Sequence, residues 1–337
     1  MKHIQIVFLL ICFVYLCPGC KGQEPFGQGL LALQTTIPLH GVKGRIDHLD
    51  INLKDKIVYV AALGNNSLEI VDISKGKVLH SIKGLNEPQG VAYIPQQQEI
   101  FVANGGNGDC YFYNAYSFKK IAAIHLSSDA DDVRYDSSDN KIYVGYGEGG
   151  IAVIDAQNHQ QVADIKLTAH PEGFQLDKKL GKLFVNLPDA QQIAVIDLKQ
   201  YKLINKWSTG EFSANFPLAM DTVNHTIIIG YRHPVKLVVM DEGTGAIIST
   251  ADMVSDVDDV YIDEASGRIF ASGGGGFISI YQWQKTMIKQ VAHISTRDGA
   301  RTSLLIPGLK LFILAARDNA ARDNHGKNAE LLVYKTM

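Results

Sequence analysis

Cysteine is scarce in this chain outside its N-terminus. Three of the four cysteines lie within the first 20 residues, and Cys110 is the only one in the remainder. A single thiol excludes an internal disulfide there, and the absence of a Cys/His cluster argues against a zinc or redox centre. Cys110 opens the apolar run 110–113, so we interpret it as a buried structural residue.

The sequence has no strong excess of positive or negative charge. It also lacks the common nucleophile motifs. The net charge is −3 with 20% charged residues, so there is no general basic field, and nucleic acid is not an expected partner. We find no G-x-S-x-G, H-E-x-x-H or P-loop pattern. The apolar content of 46% is ample for a large core.

The N-terminus differs from the rest of the chain. Lys2 and His3 precede the apolar run 4–16, which has the form of a secretory signal and is short for a membrane span. Gly19-Cys20 resembles a bacterial lipobox, although Cys17 and Pro18 depart from the usual residues there. We expect a lipoprotein-type signal peptide at 1–19, lipidation of Cys20 and a tether at 20–29. Plain cleavage after residue 22 is the alternative.

The remainder repeats seven times at a period near 42 residues. The units open at His48, Gly90, Asp132, Gly173, Leu218, Asp259 and Thr302, at intervals of 41 to 45 residues. Within each unit, alternating hydrophobic strands are separated by Gly, Asn, Asp and Ser turns, and no segment has a long helical period. Such a period with several short strands per unit predicts a closed β-propeller.

The two ends of the repeat region complement each other. The last unit stops at Met337 without a fourth strand, while a strand-like run at 30–39 precedes the first unit. We therefore predict an all-β, seven-bladed β-propeller over 30–337, with the N-terminal strand completing the last blade as its outer strand. Closure of the ring removes open sheet edges.

The strand pairs resemble the YVTN-type β-propeller repeat. The resemblance is carried by 57–61 with 68–72, by 141–144 with 151–155, and by 182–186 with 193–197. It covers essentially the whole of 30–337 and implies an exported seven-bladed propeller without a defined activity. Trp-Asp repeats are absent, and two tryptophans are too few for the quinoprotein type.

Aspartates recur where the third strand of a unit ends, as at Asp72, Asp155, Asp197 and Asp241. An aspartate in that position bonds the backbone of the turn that follows. We interpret these residues as turn formers, because the turn repeats with them.

The tetrads before the innermost strands do not repeat, and they are expected at the mouth of the central channel. They occupy 45–48, 87–90, 129–132, 170–173, 215–218, 256–259 and 299–302. Converging polar groups in a concavity are the first place to look for a site. The candidate ligand-binding residues are Arg45, Asp47, Gln89, Asp132, Glu172, Asn215, Arg232, Asp259, Arg301 and Arg317.

Three interpretations of this mouth remain open. The first is a hard-cation site for Ca²⁺ or Mg²⁺, with Asp132, Glu172 and Asp259 as the candidate metal ligands, and Asp47 and an asparagine (Asn186 or Asn215) nearby. The second is an anionic or polyhydroxylated ligand held by the arginines, with carboxylates on sugar hydroxyls. The third is a self-neutralising polar plug with trapped water. Neighbouring strand residues such as Asp131 and Asp132 face opposite sides, so both reach one ligand only at a bulge.

Two histidines of this ring are candidate catalytic residues. Because histidine ordinarily titrates near neutral pH, we expect that His48 and His170 could serve as a general base and its partner. With Tyr146 and Tyr231 they would suit β-elimination from an acidic sugar. The insertion at 316–327 in the last unit is either a functional loop or a solvated flap.

The sequence therefore predicts an exported, lipid-anchored monomer in the bacterial cell envelope, in the periplasm or at the outer membrane. It would bind a small molecule or a protein at the channel mouth and touch the membrane only through its lipid. The alternative function is a metal-assisted hydrolase, lactonase or lyase acting on a small sugar-derived substrate. A third possibility is protein scaffolding through the blade faces.

Overall fold

The fold is a ring of seven antiparallel sheets with four strands each. The computed structural model describes residues 25–318 and 328–337. Within these residues the only helices are 3₁₀ turns at Gln28–Leu30, Leu63–Asn65 and Pro307–Leu309. None of the described helices is long and apolar enough to cross a bilayer. The signal segment, Cys20 and most of the loop inserted in blade seven lie outside the described residues.

The strands follow the chain in order around the ring, with the first strand of each blade innermost. Blade one contains β2 Leu49–Asn52, β3 Ile57–Ala62, β4 Ser67–Asp72 and β5 Lys77–Lys83, and blade two contains β6 Pro88–Ile94, β7 Glu99–Asn104, β8 Asp109–Asn114 and β9 Lys120–His125. Blade three contains β10 Ala130–Asp136, β11 Lys141–Tyr146, β12 Gly150–Asp155 and β13 Gln160–Lys166, and blade four contains β14 Phe174–Asp177, β15 Lys182–Leu187, β16 Gln192–Asp197 and β17 Lys202–Ser208. Blade five contains β18 Ser213–Asp221, β19 Thr226–His233, β20 Val235–Asp241 and β21 Ile247–Asp252, and blade six contains β22 Val257–Asp263, β23 Arg268–Gly273, β24 Phe277–Gln284 and β25 Met287–Ser295.

Blade seven joins the two ends of the chain. It contains β26 Ser303–Ile306, β27 Leu311–Ala316, β28 Glu330–Thr336 and, as its outer strand, β1 Leu31–Pro38. β1 pairs antiparallel with β28, with Leu31 opposite Thr336 and Pro38 opposite Glu330. The predicted seven blades and the closure of the ring by the N-terminal strand are confirmed.

The hydrophobic core lies between neighbouring blades. Phe101 and Phe112 of blade two are fully buried with their ring centroids 5.0 Å apart, and they pack in one cluster with Ile142 and Val144 of blade three. Because side chains alternate across a strand, the middle strands of each blade face both neighbours. Packing of this kind fixes the angle between blades and therefore the positions of the inner strands.

The repeated aspartates form turns, as predicted. Asp72 Oδ1 accepts hydrogen bonds from the backbone N–H groups of Ser74 and Lys75 at 3.0 and 2.9 Å. Asp155 and Asp241 accept the equivalent bonds from the turns that follow β12 and β20. None of these three aspartates lines the central cavity described below.

Close approach of the inner strands depends on glycine at Gly90. A Cβ atom built at this position would lie 2.0 Å from the carbonyl oxygen of Asp131 in the next blade. No side chain fits at that distance, so Gly90 allows blade three to bring Asp131 against blade two.

Candidate functional site

The inner strands enclose a central cavity of about 700 Å³. Its volume falls within the range of small-molecule sites. Charged and apolar side chains both line the cavity. The lining includes Arg45, Asp47, His48, Asp50, Val91, Asp131, Asp132, Arg134, Glu172, Phe216, Leu218, Asp258, Asp259, Val260 and Tyr261.

Bulges place consecutive residues in this lining. The register between β10 and β11 shifts between Ala130 and Val133, and both Asp131 and Asp132 line the cavity. Blade six has the same irregularity at the start of β22, where Asp258 and Asp259 both line the cavity. A bulge breaks the strict alternation of side chains, which is how adjacent carboxylates come to face one space.

The arginines of the mouth are paired with carboxylates. Arg45 Nη2 lies 2.6 Å from Asp47 Oδ2. Arg232 and Arg301 both contact Asp258, at 2.6 and 2.7 Å.

Two of these arginines have further partners. Arg232 also donates to the carbonyl oxygen of Val257 and lies over the ring of Phe216. Arg301 also contacts Asp256, at 3.0 Å. Deeper in the channel, Arg134 forms a short ion pair with Asp132. Guanidinium groups held in this way are not available to a ligand without breaking an existing pair.

The carboxylates outnumber these arginines at the mouth. Seven of the described carboxylates line the cavity, Asp50 deeper in the channel among them, and four guanidinium groups pair with Asp47, Asp132, Asp256 and Asp258. Asp259 instead accepts the backbone N–H of Ser303 at 2.6 Å. Among the described residues, the carboxylates of Asp131 and Glu172 have no arginine partner, and Asp131 lies between His48 and His170, at 3.8 and 4.0 Å.

His48 lies between two carboxylates. Its Nε2 is 3.8 Å from Asp131 and 3.9 Å from Asp132. Burial alone would lower the pKa of His48, but Asp132, Asp47 and Asp131 outweigh burial and raise the pKa to about 9. Burial raises the pKa of Asp47 itself to about 7. Because the pKa of His48 is about 9, its imidazole is a cation at neutral pH.

His170 and Glu172 precede β14 and meet Asp131 of the neighbouring blade. One ligand-type atom of each of the three lies within 4.8 Å of the others. His170 Nδ1 is 2.6 Å from the carbonyl oxygen of Gly147, and the backbone N–H of Glu172 donates to Asn186 O at 3.0 Å. Burial, followed by the charge of Asp131, raises the pKa of Glu172 to about 8. Burial would lower the pKa of His170, but the nearby carboxylate of Asp131 and the hydrogen bond to Gly147 raise it to about 9.

The remaining predicted residues lie apart from this cluster. Gln89 packs against Gly105 of its own blade, and Arg317 lies against Gly299. Asn215 is fully buried and donates to Asn186 Oδ1 at 3.1 Å, which ties blade five to blade four. None of Gln89, Arg317 and Asn215 lines the cavity that the described residues enclose.

Tyr146 and Tyr231 do not assemble with the two histidines. Tyr146 donates to Asp164 at 2.9 Å outside the channel. Tyr231 is buried in the core between blades four and five.

Three residues that line the cavity deeper in the channel were missed by the sequence analysis. Asp50, Arg134 and Tyr261 were not among the predicted site residues, yet all three line the cavity. Each lies two positions after the residue that opens its unit, and the period of two along a strand puts it on the same face. That alternation was the signal that would have found them.

Comparisons with known proteins identify the fold. No protein-family model matches the chain, and no curated protein matches its sequence. A chain from a crystal structure of a mitotic checkpoint complex superposes with a TM-score of 0.77 at 15% identity, over 98% of this chain and 99% of that one. A chain of hydrazine synthase from Kuenenia stuttgartiensis gives a TM-score of 0.75 at 13% identity, over 89% of this chain and 99% of that one. At these identities the likeness extends to the propeller fold alone.

Proposed function

We propose that the protein binds a small molecule rich in hydrogen-bond donors, a polyol or an amine, in the central cavity of its propeller. The observation that carries this proposal is the unequal pairing at the mouth. Four arginines are engaged by carboxylates, whereas Asp131 and Glu172 lack such a partner. Burial would raise the pKa of Asp131, but the nearby histidines hold it below its usual value. Its carboxylate is therefore ionised and only accepts hydrogen bonds, so the matching ligand must donate them.

The wall below the mouth supports the same class of ligand. Val91, Phe216, Leu218 and Val260 line the cavity beside the charged groups. An apolar wall with a few directed polar groups suits the carbon face of a sugar ring or the methylenes of an amine. An anionic ligand that bound to one of these arginines would first have to displace its carboxylate, which leaves a buried charge unpaired.

The test is binding to the full-length protein in detergent, measured by calorimetry. Glucosamine, glucose and spermidine are the donor-rich probes, and glucuronate is the anionic probe. We expect binding of at least one donor-rich probe, and weakening by Asp131→Asn of at least tenfold, since hydrogen bonds to charged groups contribute about 1.5–3 kcal/mol. Asp164→Asn, outside the channel, is the control variant. Preferential binding of glucuronate, or no effect of Asp131→Asn, would contradict the proposal.

A second candidate function is metal-assisted hydrolysis or elimination on a sugar-derived substrate. The cluster of Asp131, His170 and Glu172 favours it. The two histidines are poor general bases without an ion, because a pKa of about 9 keeps each protonated at neutral pH. Hydrolysis of a sugar lactone that appears only with added Zn²⁺ or Mn²⁺, and is lost in Glu172→Gln, would favour this function over simple binding.

The N-terminal residues support export and lipid anchoring of the propeller in the cell envelope. Lys2, the apolar run 4–16 and Cys20 have the order of a lipoprotein signal. Mass spectrometry of the mature N-terminus should find a lipid-modified Cys20, and Cys20→Ser should release the protein from membranes. An unmodified N-terminus after residue 22 would contradict the lipid anchor.

The strand pairs quoted above support assignment to the YVTN-type repeat family.

A further inference from the structure

Three side chains from two blades form a compact group with mixed nitrogen and oxygen donors. Asp131 comes from the bulge at the start of β10, and His170 and Glu172 come from the segment that leads into β14. Their ligand-type atoms lie within 4.8 Å of one another, and His170 Nε2 is 4.0 Å from Asp131 Oδ2. Two ligand atoms that each lie about 2.1 Å from one tetrahedral ion are roughly 3.4 Å apart. Side-chain rotations that bring the three ligand atoms about 1 Å closer to one another would therefore let all three bind one ion.

The orientation of His170 suits a metal ligand. Its Nδ1 is 2.6 Å from Gly147 O, so Nδ1 carries a proton and donates it to that carbonyl. The other ring nitrogen, Nε2, then lies 4.0 Å from Asp131 Oδ2 and is free to bind a metal ion. Metal-binding histidines almost always donate their second N–H to a carbonyl or a carboxylate, which fixes the ring and raises its basicity.

Asp131 supplies an independent indication that a ligand belongs here. The residue is 8% exposed, and its buried Oδ1 has no hydrogen-bond partner among the described residues. His48 Nε2 lies 3.8 Å from this oxygen and His170 Nε2 lies 4.0 Å from Oδ2, and both distances exceed a hydrogen bond. A buried carboxylate oxygen without a donor is costly, and a bound cation satisfies it.

The donors also determine the class of ion. Ca²⁺ and Mg²⁺ prefer oxygen ligands alone, whereas an imidazole with two carboxylates suits Zn²⁺, Mn²⁺, Fe²⁺ or Co²⁺. Among the described residues, Asp131 and Glu172 are the mouth carboxylates that neither an arginine nor a backbone N–H engages, so their oxygens are available as metal ligands. We propose that Asp131, His170 and Glu172 bind one divalent transition-metal ion at the rim of the central cavity. Its remaining coordination positions open toward that cavity.

This set differs from the metal ligands that the sequence suggested. Glu172 is common to both sets. Asp132 is engaged by Arg134, and Asp259 is engaged by the N–H of Ser303 on the blade-seven side. The ion would therefore lie between blades three and four.

The test is metal binding by the full-length protein in detergent, after treatment with a chelator. Equilibrium dialysis and calorimetry with Zn²⁺, Mn²⁺ and Co²⁺ should find about one equivalent per chain, and Co²⁺ should give visible ligand-field absorption. His170→Ala and Glu172→Gln should each weaken Zn²⁺ binding by at least tenfold to a hundredfold. His125→Ala is the control, because His125 pairs with Asp109 at 2.8 Å on the surface and should leave channel binding unchanged.

A measurement on the unaltered protein keeps the test independent of how the variants fold. X-ray absorption of the Zn²⁺-loaded chain should show one imidazole together with oxygen donors. The proposal is overturned if no ion binds, if Ca²⁺ or Mg²⁺ binds in preference, if His170→Ala binds as well as the unaltered chain, or if the spectrum shows sulfur or several imidazoles. No organic ligand is used, so this result is separate from that of the binding proposal.

Discussion

Asp50 provides a sharp test of the electrostatics of the channel. It lies in β2, lines the cavity and accepts the backbone N–H of Tyr93 at 2.6 Å, which ties blade one to blade two. Burial raises the pKa of Asp50 to about 6, while the N–H groups of Tyr93 and Ile51 and the charge of Arg134 oppose that rise. We predict that Asp50→Asn stabilises the protein above pH 7, because asparagine keeps an acceptor for Tyr93 and removes the buried charge.

The sign follows from the raised pKa. The folded state holds its proton up to about pH 6, whereas the unfolded state loses it near pH 4, so ionisation costs stability as the pH rises from 4 to 6. A difference of two pKa units corresponds to about 3 kcal/mol, and water in the channel reduces this to roughly 1–3 kcal/mol. The difference in stability between Asp50→Asn and the unaltered protein should therefore be small at pH 4 and reach its full value above pH 7.

The assay is urea denaturation of both proteins at pH 4.5, 6 and 7.5, followed by circular dichroism. Subtraction of the two curves removes the contributions of all other titrating groups. Asp189→Asn, at an exposed position, should show no difference that depends on pH. If Asp50→Asn is equally or less stable than the unaltered protein at pH 7.5, the ionised carboxylate is not penalised, and the reasoning from burial is wrong.

Other predictions concern packing and closure. Gly90→Ala should destabilise the protein by several kcal/mol, because its methyl group would meet Asp131 O at 2.0 Å; thermal denaturation measures this, and an unchanged melting temperature would contradict it. Deletion of 31–38 should leave β28 unpaired and promote aggregation, as measured by light scattering, whereas a soluble, monomeric product would show that closure is dispensable. Cys110 is fully buried, which raises the pKa of its thiol, so a thiol reagent at pH 8 should modify it only in denaturant. Phe112→Ala should cost about 3–5 kcal/mol in urea denaturation, since it leaves a cavity between blades two and three.

The sequence by itself determined the architecture. The period near 42 residues, the alternation within each unit and the missing last strand all depend on local hydrogen bonding and hydrophobic patterning, which a linear sequence records directly. β1 and β28 pair as that reasoning required. Five of the seven tetrads that precede the inner strands contribute residues to the lining of the cavity, whereas the tetrads at 87–90 and 299–302 contribute none.

Only the tertiary structure decided which of those polar groups meet. Asp131 and Asp132 share the cavity because a bulge interrupts the strand, and no sequence pattern records that irregularity. Arg232 and Arg301 are held by Asp258, so residues of a type suited to an anion are already neutralised. The sequence placed one blade after another, but contacts between Asp131 and His170 depend on how closely two neighbouring blades pack, which is a property of the closed ring.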